Sequence, residues 1–241
     1  MTTTPIFTSG FPLGSSAGLV AAFEWLGQPY RLTRVDMLGE MRTEAYKRLN
    51  GRVETPVLIT GEGRVLTETM AIALWLEARD PERRISFEPG TPEADRMHQY
   101  IAFLNTAFTG AFGPLWVALE AEDATEEERE TLRKFGRDFV ATRHAQLEAM
   151  IGDNDYLLGD RPTLADAVFA GVARWTDFHK AVNPSDYPRI LALRNRIEAD
   201  PAFRFAVAIE DGDTTATGSG AMKGLVPLAD VLRDTSAALA A

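Results

Sequence analysis

The chain has 241 residues, 45% of them hydrophobic and 25% charged, enough for one or two globular domains with a real core. Its 35 Asp and Glu against 25 Lys and Arg leave a net charge of -10, which argues against a nucleic-acid partner, because affinity for the phosphate backbone rests on Lys and Arg. There is no cysteine, which excludes disulfides, thiolate metal sites and an enzyme cysteine nucleophile; the apolar run from Leu19 to Phe23 stops at Glu24 with no basic segment ahead of it, so we expect a cytoplasmic protein with no membrane partner.

Residues 6–8 read as a short strand, and 9–16 as a turn. Residues 17–26 are helical, with Leu19, Val20, Phe23 and Leu26 at helix spacing and Gly27 as a stop. Residues 30–35 alternate as a strand, and 43–49 form a short helix broken by Asn50-Gly51. Residues 57–59 and 64–66 flank Gly61-Glu62-Gly63, a hairpin signal, and 67–78 return to helix. The order β-α-β-α-β-β-α fits one small mixed sheet packed against its helices, over residues 1–80. Three prolines and several charges mark 81–92 as a linker. Residues 93–241 read as an all-helical domain ending in a tail. Met97, Tyr100, Ile101, Leu104, Phe108, Phe112 and Leu115 form the buried stripe of one long helix. Thr125-Glu126-Glu127-Glu128 opens a second helix and Thr163-Leu164-Ala165-Asp166 a third. Residues 188–199 form a fourth, and 201–210 close the bundle. Residues 211–221 read as loop, 218–224 as a flexible tail, and 225–239 as a last amphipathic helix.

Several motifs carry candidate chemistry. Pro56 opens a strand, and Thr55 before it is held in the β region. Most X–Pro bonds are trans; only about 5–6% are cis. A cis bond here would turn the Thr55 N–H and C=O outward to pair with an extended peptide. Glu68 and Thr69 start a helix directly after a strand. Free N–H groups there and the Thr69 hydroxyl suit a carboxylate, and Glu68 suits an amine; the same residues also serve as an ordinary cap. Gly14-Ser15-Ser16-Ala17-Gly18 matches the spacing of a hydrolase nucleophile elbow, but only one strand precedes it and all three histidines lie in helical patterns. Ser15 and Ser16 are better placed to stabilise an anion at a helix N-terminus, or simply to cap it. The histidines show no metal-ligand spacing.

Together these pieces resemble the cytosolic glutathione transferase family, bacterial beta class, over roughly residues 5–210. The resemblance rests on the run from Leu49-Asn50 to Val57-Leu58, on Leu66-Thr67-Glu68-Thr69-Met70-Ala71-Ile72, on residues 104–115, and on Tyr156-Leu157-Leu158-Gly159-Asp160-Arg161-Pro162-Thr163-Leu164-Ala165-Asp166-Ala167. It implies a thioredoxin-like α/β domain followed by an all-α domain, a cis Pro56, glutathione as co-substrate and a homodimer. It also implies conjugation of the glutathione thiolate to small hydrophobic electrophiles, as in detoxification. Thr55 and Pro56 would hold the cysteinyl backbone of glutathione, and Glu68 with Thr69 its γ-glutamyl end. Phe11, Leu13, Phe108, Thr109 and Phe112 would bound the electrophile. The chain departs from the beta class in having Ser15-Ser16 where that class has Cys-Ser, and Thr109 where it has histidine. The lysine expected after Val35-Asp36 is missing, and Arg42 stands nearby. Serine activation of the thiol is what remains, with a non-catalytic glutathione-binding module, or a lyase, isomerase or peroxidase, as alternatives.

Overall fold

The computed structural model describes residues 4–239. The chain forms two compact units, Met1–Ser86 with Glu198–Ala241, and Phe87–Ile197. The first holds strands β1 (Ile6–Phe11), β2 (Tyr30–Asp36), β3 (Val57–Ile59), β4 (Val65–Thr67) and β5 (Met222–Leu225), with helices α1 (Ala17–Leu26), α2 (Glu44–Leu49), α3 (Thr69–Glu77), α10 (Pro201–Glu210) and α11 (Leu228–Leu239). The second holds α4 (Pro92–Phe103), α5 (Gly113–Glu120), α6 (Glu126–Ile151), α7 (Leu164–Ala173), α8 (Trp175–Phe178) and most of α9 (Pro188–Ala199).

The sheet order is β4-β3-β1-β2-β5, with β1 parallel to β2, β3 antiparallel to β1 and to β4, and β5 parallel to β2. Phe7, Phe23 and Tyr30 stack in its core, with Phe23 and Tyr30 centroids 4.6 Å apart. α1 ends where the sequence predicts, at Gly27, whose φ of 74° suits glycine and whose N–H closes on the Phe23 carbonyl.

The units change at Ser86, within the expected linker at 81–92, but the second unit does not run on to the C-terminus as one helical domain. α10 does not close the helical bundle; it packs on α1 in the sheet-bearing unit. The stretch read as a flexible tail contains β5, which completes the sheet. The physical reason is that β2 would otherwise be an open edge with unpaired N–H and C=O groups.

In the helical unit the single long helix expected from the aromatic stripe is interrupted. A π-turn at Leu104–Phe108 separates α4 from α5, and the Thr109 hydroxyl donates to the Leu104 carbonyl at 2.8 Å inside it. Among the described residues the stretch Pro92–Glu120 is long and apolar enough by composition to cross a membrane, but Met97, Tyr100, Ile101, Leu104, Phe108, Phe112 and Leu115 of that stretch are buried in this unit's core. α6 starts on the expected capping box, Thr125 with Glu128. α7 starts on a second, in which buried Asp166 accepts from the Thr163 N–H and hydroxyl at 2.8 Å and from the Leu157 N–H at 2.9 Å.

Candidate functional site

Strand register brings the candidate residues of the first unit to one end of the sheet. Phe11 pairs with Asp36, Thr8 with Val57, and Val57 with Thr67. The β1–α1 turn carrying Ser15 and Ser16, the Thr55–Pro56 step ahead of β3, and Glu68-Thr69 after β4 therefore leave the same edge. So does the segment after β2, which turns through a 3-10 helix at Glu40–Arg42. The Thr55–Pro56 peptide bond is cis, as is Phe11–Pro12.

The two serines have opposite environments. Ser16 is fully buried; its Oγ accepts the Gly10 N–H at 2.9 Å and lies 3.1 Å from the Ser9 hydroxyl. Its hydrogen-bonding capacity goes to holding the turn against β1. Ser15 is half-buried, and its hydroxyl has no partner among the described residues. At the start of α1 the Ala17 N–H donates to the Gly14 carbonyl at 3.3 Å and the positive end of the helix dipole faces this turn; the helix opens with no side-chain cap. α3 opens the same way after Glu68, which has φ 74° and no capping bond, and the Thr69 hydroxyl is likewise unpaired. In the same unit α2 and α10 are closed by Thr43 and Asp200. Two helix ends left uncapped at one sheet end are an anion-accepting arrangement.

Neither the N–H nor the C=O of Thr55 has a hydrogen-bond partner among the described residues. The step is held from behind: Val57 N–H donates to Thr8 Oγ1 at 2.7 Å, and the Glu54 carbonyl accepts from Tyr46 Oη and Asn50 Nδ2, each at 2.8 Å. Burial pushes the Tyr46 hydroxyl pKa up, so it remains a donor. Gly10 sits against Thr55; a Cβ there would overlap Thr55 Oγ1 and the Met37 side chain. Arg42 is exposed on its turn, and Glu68 pairs with Arg52 at 3.4 Å on the surface.

Sequence reasoning missed three participants. Met37 covers Thr55 Oγ1 at 3.5 Å. Glu210, at the end of α10, accepts the Leu13 N–H at 2.6 Å and fixes the serine turn, where Leu13 has φ 56°. Arg34 donates to the Glu210 carbonyl and lies 4.2 Å over the Phe11 ring. No local signal marks Glu210, because its partner is 197 positions away.

Two of the electrophile contacts expected from the helical unit lie deep in its core. Phe108 and Phe112 are 1% and 0% exposed, locked in an aromatic cluster with His144, Phe169 and Trp175. Rings this deep fill the core and line no open surface. Thr109 is half-buried with its hydroxyl committed to Leu104, and Phe11 and Leu13 are half-buried at the sheet end. A surface hollow lined by Pro5, Gln28, Pro29, Gly61, Trp75 and Arg79 lies at the opposite end of the sheet from these residues.

The family model for the glutathione S-transferase N-terminal domain matches residues 16–79, and the one for the C-terminal domain matches residues 103–201. A maleylacetoacetate isomerase of Pseudomonas aeruginosa is 30% identical over 196 residues, covering 79% of this chain and 89% of its own. The chain belongs to the glutathione S-transferase family. A glutathione S-transferase of Escherichia coli O157:H7 is 24% identical over 76% of the chain and 88% of its own length. The solved glutathione S-transferase from Xylella fastidiosa shares the fold, with TM-score 0.77 at 22% identity over 86% of this chain and 98% of that one. A glutathione transferase from Methylococcus capsulatus gives TM-score 0.71 at 27% identity over 86% and 99%. This glutathione S-transferase family member thus combines a thioredoxin-like unit with a helical unit.

Proposed function

We propose that this protein binds glutathione at the Thr55 end of its sheet and conjugates it to small hydrophobic electrophiles, with Ser15 stabilising the thiolate. The observation that carries this reading is the Ser15 hydroxyl, unpaired beside an uncapped helix while its neighbour Ser16 is fully committed. The outward Thr55 peptide would pair with the cysteinyl backbone, Glu68 and Thr69 would take the γ-glutamyl end, and Arg42 would take the glycyl carboxylate. The solved sphingomonad glutathione S-transferase, which has the same fold at TM-score 0.73, is complexed with glutathione.

The energetics suffice. A hydrogen bond to a charged group is worth about 1.5–3 kcal/mol, and the helix end adds about 0.3–1 kcal/mol. At about 1.36 kcal/mol per unit, the two together lower a thiol pKa near 8.5 by about one to three units. Ser15 donates its O–H to the sulfur and takes up no proton, so no general base is needed. The thiol proton leaves to solvent and the thiolate bonds to the electrophilic carbon, displacing a halide or opening an epoxide.

A second reading has its own support in the 30% identical maleylacetoacetate isomerase. The same thiolate adding reversibly to a conjugated double bond would allow rotation and then leave, returning glutathione unchanged. The deciding experiment is ultraviolet thiolate absorbance of glutathione on the protein, followed by turnover of an aryl halide, an epoxide and a cis-enedione acid. Product carrying glutathione supports conjugation, and isomer with glutathione unconsumed supports the second reading. Binding with no thiolate signal and no turnover refutes catalysis and leaves a binding module. We also propose a cytoplasmic homodimer, which sedimentation of the purified protein would test.

A further inference from the structure

The sheet-bearing unit is closed by chain from the far end of the sequence, and that closure reaches the proposed glutathione site. β5 adds to the outer edge of β2, pairing Tyr30 with Met222 and Leu32 with Leu225. The Tyr30 N–H donates to the Ala221 carbonyl at 3.2 Å, and the Val226 N–H to the Leu32 carbonyl at 2.8 Å. Ahead of β5 the chain is anchored on Glu24 of α1, which is 3% exposed. One carboxylate oxygen accepts the Tyr30 hydroxyl at 2.8 Å; the other accepts the Ser219 N–H and hydroxyl, each at 2.6 Å. A buried carboxylate is tolerated only with such donors, and two of the three come from this segment. After β5, Val226, Leu228 and Val231 are buried against Val35, Tyr46, Leu49 and Val57.

Tyr46 and Leu49 are the two buried residues of α2. α2 has six residues, far below the length at which a helix holds by itself, so its position is set by what it packs on. It is also the support of the site. Tyr46 Oη holds the Glu54 carbonyl, and the next residue is Thr55. Arg42 lies in the turn that leads into α2.

We propose that residues 218–232 are a positioning strap for glutathione: they seat α2, and through Tyr46 and the Glu54 carbonyl they set the Thr55 peptide and the Arg42 turn. The inference rests on the glutathione-binding reading above. The strap acts on binding and leaves thiol activation alone, because the Ser15 turn is held by separate bonds, from Ser16 to Gly10 and from Glu210 to Leu13.

The test compares the wild type with a chain ending at Asp211 and with the double variant Leu228→Ala, Val231→Ala. Calorimetric glutathione affinity, KM for glutathione, kcat at saturation and amide exchange by segment are measured. We expect the double variant to raise Kd and KM for glutathione about tenfold, about 1.4 kcal/mol, with kcat within about twofold. In the double variant exchange should quicken over residues 44–55 and stay unchanged over 15–26; the truncated chain, which also takes the Ser219 donors from Glu24, should show the larger effect over 44–55. If the truncated chain fails to fold, the double variant decides. A lower melting temperature with unchanged Kd and KM refutes the strap, as does a fall in kcat with KM constant. A wild type that binds no glutathione refutes the proposed function and this inference with it; unchanged affinity in the variant of a wild type that binds refutes this inference alone.

Discussion

Exchanging each serine of the turn for alanine should separate activation from architecture. Ser15→Ala removes a hydroxyl with no partner among the described residues, so folding stability should stay within about 0.5 kcal/mol of wild type. It also removes the proposed donor to the sulfur, worth about 1.5–3 kcal/mol, which raises the bound thiol pKa by about one to two units. At pH 7 the thiolate fraction and turnover should then fall by up to about 10–100-fold and recover as the pH is raised. Ser16→Ala should do the reverse. It leaves the Gly10 N–H, now bonded at 2.9 Å, buried without an acceptor and strips Ser9 of its partner, costing about 1–3 kcal/mol of stability. The thiol pKa should hardly move. Thiolate absorbance against pH and urea unfolding give both readouts on each variant. An unchanged thiol pKa in Ser15→Ala, or an equal rise in Ser16→Ala, would refute the division of labour.

Three further outcomes are expected. Gly10→Ala places a methyl into Thr55 Oγ1 and Met37, so glutathione affinity should drop by more than about tenfold along with about 1–3 kcal/mol of overpacking cost, read by calorimetry and urea unfolding. His144 donates Nδ1–H to the Val140 carbonyl at 2.9 Å and accepts from Thr176 at 3.2 Å, and burial pushes its pKa from 6.5 to about 4. Its folded pKa lies below its unfolded one, so stability is fully present above about pH 6.5 and is lost as the pH falls toward 4, by about 3 kcal/mol. That pH-dependent loss should vanish in His144→Leu, and an identical pH profile in the two proteins would overturn the assignment. Asp166→Ala strands three buried donors, on Leu157 and Thr163, and should destabilise the helical unit by about 2–4 kcal/mol, seen as an earlier loss of helical circular dichroism on heating.

Much of the fold was legible because it is written locally. The β-α-β-α-β-β-α order follows from alternation, helix spacing and breakers such as Gly27, and the helix starts at Thr125 and Thr163 from capping boxes whose partners sit three residues apart. Thr55, Glu68 and Thr69 stand out as candidates in the sequence because each belongs to a feature of one turn. The aromatic stripe is core, as its period implies, and Phe108 and Phe112 lie fully buried in it. Period alone places a ring on a face and does not say how deep that face lies.

By itself, then, the sequence settled the two-part composition, the family resemblance and the absence of a cysteine nucleophile, because propensity, patterning and residue type need no long-range information. Tertiary structure alone decided which serine keeps a free hydroxyl, that Glu210 pins Leu13, and that residues 218–232 return to complete the sheet. Each of those outcomes depends on groups brought together from remote positions: an edge strand accepts whatever segment presents a free backbone, and a buried carboxylate whatever donors arrive.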